Sequence, residues 1–369
     1  MAGVGVWLIG ARGSVATTVV TGAAAIKAGL TTAQGCVTET TDFSPGDATG
    51  LPAIGDLVFG GHDIVETSLR KRAERLSEAG VLPVSFPTLL ARDLDETDAE
   101  IRPGNAPIDR LIEDLVGFRE RHGLDRVVVV NVSSTEPPVA WHPGFGRLES
   151  LDLDLLPPSS RYAYAAFSAG CGYVEFTPST GPALPALDEL AVARGVPYAG
   201  RDGKTGETLV KSALAPMFAG RALRVRSWSG LNLLGGGDGA TLADPAARSS
   251  KEISKGRAVA GVLGQEVDGQ THIDFVPDFG EWKTAWDHVS FEGFLGVRMA
   301  LQFTWQGCDS ALAAPLVLDL ARLVARAHEK GRTGLLPDLA YFFKDPLGSD
   351  EHRLPAQYER LRAFARDLA

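Results

Sequence analysis

The chain carries nine lysines against 27 arginines, and six of the nine fall at Lys204, Lys211, Lys251, Lys255, Lys283 and Lys344. A guanidinium keeps its proton inside a protein, whereas the ammonium of a buried lysine can give one up. Lysines retained by an arginine-rich chain in its densest motif segments therefore point to proton transfer, or to holding a developing negative charge. Lys251 and Lys255 are four residues apart in Arg248–Lys255, on one face of a predicted helix. Each ammonium there makes its neighbour easier to deprotonate, which suits a base that later steadies an enolate. A solvated basic face would show the same spacing.

The run Gly200-Arg201-Asp202-Gly203-Lys204-Thr205-Gly206-Glu207-Thr208-Leu209-Val210-Lys211-Ser212 feeds a glycine loop into a helix through small hydroxyl residues. Thr205, Gly206 and Thr208 can offer backbone N–H and hydroxyl groups to a phosphate, with Lys204 and Lys211 flanking them. The pattern differs from a nucleoside-triphosphate loop and fits a sugar phosphate better. Asn232 and Asp238 bracket the glycine-rich turn Gly235-Gly236-Gly237, which suits close approach to a polar ligand or an ordinary loop. Asp309-Ser310 precedes a predicted helix and reads equally well as an N-cap. Lys344 follows the apolar run Leu339–Phe343, predicted as a strand. The seven histidines show no metal-ligand spacing and there is no Gly-x-Ser-x-Gly, so neither a protein-built metal site nor a serine nucleophile is expected.

The elements that must position these groups begin at once. Val4–Ile9 is an apolar run that breaks into Gly10-Ala11-Arg12-Gly13-Ser14-Val15-Ala16, and a helical stretch follows to Leu30. Strand, glycine turn and helix form the first unit of a doubly wound dinucleotide fold, with the pyrophosphate at the helix N-terminus. A second strand is predicted at Gly35–Thr38, ending at Glu39. An acid there would take an adenosine ribose and repel a 2′-phosphate, favouring NAD over NADP. Residues 42–60 read as a loop. Asp125–Val132 is apolar on both faces, as buried parallel strands are; further strands are predicted at Tyr173–Thr177 and Pro197–Gly200, with helices between. The fold class is α/β, a Rossmann-like doubly wound parallel sheet. Residues 1–200 form its first part, 201–305 a second domain and 306–369 a return to the first.

A length of 369 residues favours two domains. The net charge of −10 argues against a broad grip on nucleic acid, while leaving room for a local positive site. No apolar run reaches the roughly 18 residues of a membrane span, and Met1–Gly10 does not read as a signal peptide. Cys36, Cys171 and Cys308 are far apart and read as reduced thiols of a cytoplasmic protein.

Taken in order, these motifs resemble the inositol-3-phosphate synthase family, particularly its shorter, archaeal-type members. The resemblance rests on Val6-Trp7-Leu8-Ile9-Gly10-Ala11, Phe59-Gly60-Gly61-His62, Asn131-Val132-Ser133-Ser134-Thr135-Glu136-Pro137 and Phe176-Thr177-Pro178-Ser179. It continues through Asp202–Thr208, Lys283-Thr284-Ala285-Trp286-Asp287 and Phe342-Phe343-Lys344. It implies an inserted α/β domain, at once catalytic and tetramerising, hence a homotetramer. It also implies an NAD-dependent aldol cyclisation of a hexose 6-phosphate. In that chemistry C5 is oxidised, C6 loses a proton, the enolate closes on the C1 aldehyde and C5 is reduced again. Lys251, Lys255, Lys283 and Lys344 would carry the proton transfers and oxyanions, with Asp238 and Asp309 beside them. Gly10, Ala11, Arg12, Gly13, Ser14 and Val15 would line the cofactor, together with Asn131, Ser133, Thr135, Asp202 and Ser310. Thr205, Gly206 and Thr208 match the phosphate loop, with Lys204, Lys211 and Asn232 on the substrate. A divalent cation is compatible with the resemblance.

Two departures bear on the substrate. Many members place Asn where this chain has Glu175, and larger polar residues where it has Gly235-Gly236-Gly237. Fructose 6-phosphate, closing to a five-membered cyclitol phosphate, is therefore an alternative to glucose 6-phosphate. A non-catalytic sensor of NAD and sugar phosphate is the alternative of another class, and an ordinary dehydrogenase a third.

Overall fold

The computed structural model describes residues 3–43, 50–236, 263 and 267–369. In chain order the strands are β1 (Val4–Ile9), β2 (Val58–Asp63), β3 (Ile101–Pro103), β4 (Arg126–Asn131), β5 (Gly172–Glu175) and β6 (Pro197–Gly200). They continue as β7 (Arg224–Leu234), β8 (Thr271–Phe275), β9 (Trp282–Glu292), β10 (Arg298–Cys308) and β11 (Gly334–Leu335). Two compact units result. The first comprises Met1–Gly203, Ala313–Ser349 and Leu361–Ala369; the second comprises Lys204–Leu312 and Asp350–Arg360.

The first unit is built on a parallel sheet of order β11-β6-β5-β4-β1-β2-β3. From β3 to β6 this is the doubly wound order, whose chain reversal between β1 and β4 opens a crevice at the strands' carboxyl ends. β1 is buried at every position, and Val127–Val130 of β4 are buried too, because helices cover both faces. Beneath the crevice Trp7 donates from Nε1 to His62 Nδ1 at 2.9 Å, and His62 Nε2 faces Asp114 at 3.3 Å. Burial pushes the His62 imidazole down to about 4, so it stays neutral as a core hydrogen-bonding ring.

Two predicted strands form differently. Val37–Glu39 is a 3-10 turn drawn onto the helix Asp309–Glu329. Asp319 accepts from Val37 N at 2.6 Å and from Thr38 Oγ1 at 2.5 Å, and Arg322 pairs with Glu39 at 2.5 Å. The strand beside β1 is instead β2, inside the glycine-rich stretch expected to be a loop. Gly60 is suited to it because a Cβ there would stand 2.9 Å from the Trp7 ring. Pro337–Phe342 is also a 3-10 turn rather than a strand, with a proline at its start. Only Phe343 bridges, to Gly203.

The second unit holds a four-stranded sheet of order β10-β9-β7-β8, antiparallel except between β7 and β8. One face packs through Val225, Trp228 and Val289 on Ala215 and Phe218 of the helix Gly206–Gly220. Alternation along β9 places Lys283, Ala285 and Asp287 on one face. Among the described residues no helix is long and apolar enough to cross a membrane.

Candidate active site

In the first unit the glycine turn has the shape its sequence requires. Gly10 adopts φ +79°, and a Cβ there would lie 2.8 Å from Ser133 Cα. A larger residue would meet both backbone strain and a clash. Gly13 is the N-cap of the helix Ser14–Lys27 and has no side chain to cap it, a start that suits an anion. Gly10 N and Ala11 N both donate to His62 O, at 2.9 and 3.1 Å, tying the turn to the end of β2. The acid at that end is Asp63, whose Oδ2 accepts from Arg12 N at 2.7 Å and Oδ1 from Val65 N at 2.8 Å. The argument that placed Glu39 on the ribose therefore transfers to Asp63. Arg12 pairs with Asp98, and Arg72 donates to Ser14 Oγ, while Val15 and Thr135 stay half-buried beside solvent. The residues fit a dinucleotide: a cleared turn, an uncapped helix start and an acid ending the second strand.

Also within the first unit, Lys344 Nζ donates to Asp202 Oδ1 at 3.0 Å. The backbone holds both residues in place. Lys344 N donates to Asp202 O at 2.7 Å, and Asp202 N donates to Thr177 O at 3.0 Å. Asp202 sits at φ +62°, a strained conformation for a non-glycine residue that recurs at functional sites.

Within the second unit, Lys283, Asp309, Thr205 and Gly206 meet. Asp309 Oδ1 accepts from Thr205 Oγ1 at 3.0 Å and pairs with the Lys283 ammonium. A Cβ on Gly206 would fall 2.7 Å from Lys283 Nζ, and Gly206 has φ +58°. The ammonium thus lies against the first residue of the helix Gly206–Gly220, whose Thr205 cap turns its hydroxyl to Asp309 rather than to the helix. Helix start, hydroxyl and ammonium together suit a phosphate. Ser310 is buried, its Oγ 3.1 Å from Cys308 Sγ.

Of the motif lysines, Lys211 and Lys204 are also described, and both are buried. Lys211 pairs with Glu207 one helical turn earlier and with Asp287 at 3.3 Å. Trp228 Nε1 donates to the same Asp287 at 2.8 Å. Burial raises the Asp287 carboxyl in spite of Lys211, and its buried Oδ2 has no hydrogen-bond partner among the described residues. Asp287 was not singled out from the sequence, although its period-two spacing from Lys283 carried the signal. Thr208 and Asn232 are buried on the helix and on β7. Lys204 meets Gln357 Oε1 rather than a carboxylate, and burial pushes its ammonium down to about 7. Between pH 7 and pH 9 the folded chain then holds fewer protons here than the unfolded chain, so stability rises with pH. Wild type is expected to gain about 2 kcal/mol more than Lys204→Met across that window. Urea unfolding at both pH values measures this, and equal gains would mean that Lys204 remains protonated.

Gly235 is cleared for packing: a Cβ there would lie 2.3 Å from Gly280 O. Lys251, Lys255 and Asp238 lie outside the described residues. Among the described residues no group of three or more His, Cys, Asp or Glu side chains could hold a metal ion.

Two family models described as myo-inositol-1-phosphate synthase match the chain, one over residues 4–104 and one over residues 206–310. Inositol-3-phosphate synthase 1 of Bacteroides thetaiotaomicron is 30% identical over 388 aligned residues, covering 95% of this chain and 90% of that protein. The chain belongs to the inositol-3-phosphate synthase family. It is an enzyme of that family, and its first unit carries the family's NAD-binding domain. The macaque inositol-3-phosphate synthase 1 is 31% identical over 74% of this chain, which spans only 55% of that relative's length. Inositol-3-phosphate synthase of Caenorhabditis elegans superposes with a TM-score of 0.84, at 22% identity, over all of this chain and 86% of that one, supporting the fold.

Proposed function

We propose that this member of the family cyclises glucose 6-phosphate to an inositol phosphate with NAD. The observation that supports it is Lys283 paired with Asp309 against Gly206, within the matched family domain and in an arrangement suited to a phosphate. Thr205, Gly206 and Lys283 hold the phosphate of the open-chain sugar. NAD, when bound at the Gly10–Val15 turn, supplies the chemistry of taking the C5 hydride and giving it back. Asp63 holds the ribose. The Lys344–Asp202 pair takes the proton of the C5 hydroxyl during oxidation and returns it when C5 is reduced. A C6 proton leaves to a lysine base, the C1–C6 bond forms, and the C1 oxygen takes up a proton. Substrate and product are isomers, with no net redox change.

Product analysis by ³¹P and ¹³C NMR tests this, with enzyme and NAD incubated with glucose 6-phosphate or fructose 6-phosphate. A six-membered inositol phosphate from glucose 6-phosphate without accumulating NADH is expected. A five-membered cyclitol phosphate from fructose 6-phosphate would overturn the substrate. NADH formed in step with product would mean an ordinary dehydrogenase, and binding without turnover a sensor.

A further inference from the structure

Glu175 ends β5 opposite Asn131 of β4 and has no exposed surface. Its Oε1 accepts from Asn131 Nδ2 at 2.9 Å, Thr177 N at 3.1 Å and Thr177 Oγ1 at 2.6 Å. Its Oε2 accepts from Asn131 Nδ2 at 3.1 Å and Tyr173 OH at 3.0 Å. The neighbouring backbone is cleared for it: a Cβ on Gly181 would lie 2.3 Å from Oε2. Burial pushes the carboxyl up to about 7 despite these four donating groups. A carboxylate kept at such cost, inside a cage of donors, has a definite partner to hold.

That partner is Asn131. The two ends of an amide are alike in shape, so only its neighbours fix which way it points. Glu175 offers acceptors, which hold the NH₂ end. The Oδ1 end then faces Ser133 and accepts from its N at 3.2 Å and its Oγ at 2.7 Å. Ser133 is the residue packed on Gly10.

We propose that Glu175 is a positioning residue for the dinucleotide turn: it locks the Asn131 amide, which seats Ser133 against Gly10 and so sets the affinity for NAD. This rests on the turn being the NAD site. In Asn131→Asp two buried carboxylates face each other, and the lock is lost. In Glu175→Gln the side-chain carbonyl at the Oε1 position still accepts from Asn131, while its NH₂ at the Oε2 position gives up the longer bond from Asn131 and meets Tyr173 OH, which can turn to Ser159 O at 3.3 Å. Combined, Asn131→Asp and Glu175→Gln reverse the polarity of the same contact, leaving the second Asp oxygen for Ser133.

The test is NAD titration calorimetry on the full chain, with KM for NAD and kcat measured alongside and thermal unfolding to score the fold. Asn131→Asp is expected to weaken NAD binding about thirtyfold or more. Glu175→Gln should stay within about threefold, and the double variant should recover to within about tenfold of wild type. The losses should appear in KM for NAD more than in kcat. Should Asn131→Asp not fold, the double variant decides: NAD binding near wild type supports the lock, and a folded protein without it overturns the proposal. Equal weakening in the single and double variants, or loss beyond tenfold in Glu175→Gln, would also overturn it. Wild type that takes up no NAD would remove the cofactor reading and this proposal together, whereas undiminished binding by Asn131→Asp sinks the proposal alone.

Discussion

Lys283→Met is expected to lower kcat/KM for glucose 6-phosphate by about 10³-fold, on the order of 4 kcal/mol, mainly through KM. The ammonium lies against Gly206 and is paired to Asp309, so its removal acts twice. The phosphate loses a charge-assisted partner, and Asp309, now without its cation, repels the incoming anion. Because the phosphate does not react, the lost contact existed in ground and transition states alike, which places the loss in KM. Lys283→Met combined with Asp309→Asn should recover about tenfold, since the repulsion disappears while the lost attraction does not return. Arginine is a poor substitute, because Gly206 leaves no space beside Nζ for a planar guanidinium. Steady-state kinetics of the three proteins measure this. An unchanged KM in Lys283→Met would show that the phosphate is held elsewhere.

The parts of this site visible in the sequence are those with local causes. β1, its turn and the following helix declare themselves because an apolar run must end where a glycine gives φ +79°. β4 declares itself because Val127–Val130 can only lie between two covered faces. β2 was hidden for a physical reason: Gly60 packs on Trp7 by lacking a side chain, so the strand lacks the β-branched pattern that marks one. Once it was missed, the acid ending the second strand was sought at Glu39, and Asp63 was passed over. Long-range pairings were likewise beyond local pattern. Lys283 and Asp309 each stood out singly, but their meeting depends on β9, β10 and the start of the following helix. The inward commitment of Lys211 was half legible, because Glu207 stands four residues before it; Asp287 supplies the rest only once β9 is folded. Glu175 stood out by its type, but only the registered pair of β4 and β5 gives it Asn131.

Lys344→Met is expected to lower kcat by about 10²–10⁴-fold, the range typical of losing a positioned proton-transfer group. The affinities for NAD and glucose 6-phosphate should stay near wild type, because a group that moves a proton in the transition state need not hold either ligand in the ground state. The contacts that hold Lys344 also predict that the fold survives. Asp202 keeps its backbone bonds to Thr177 and to the Lys344 amide whatever the side chain, and φ +62° is imposed by that frame rather than by the ion pair. If the pair takes the C5 hydroxyl proton, the loss must appear in the oxidation itself. Rapid mixing with glucose 6-phosphate should then give no transient reduced-nicotinamide absorbance in Lys344→Met, where wild type gives one. Asp202→Asn keeps the shape and the hydrogen bond to Lys344, so its kcat should fall less than that of Lys344→Met. A transient of wild-type size in Lys344→Met would place this lysine after the oxidation, at ring closure or the final reduction, and leave the first proton to another base.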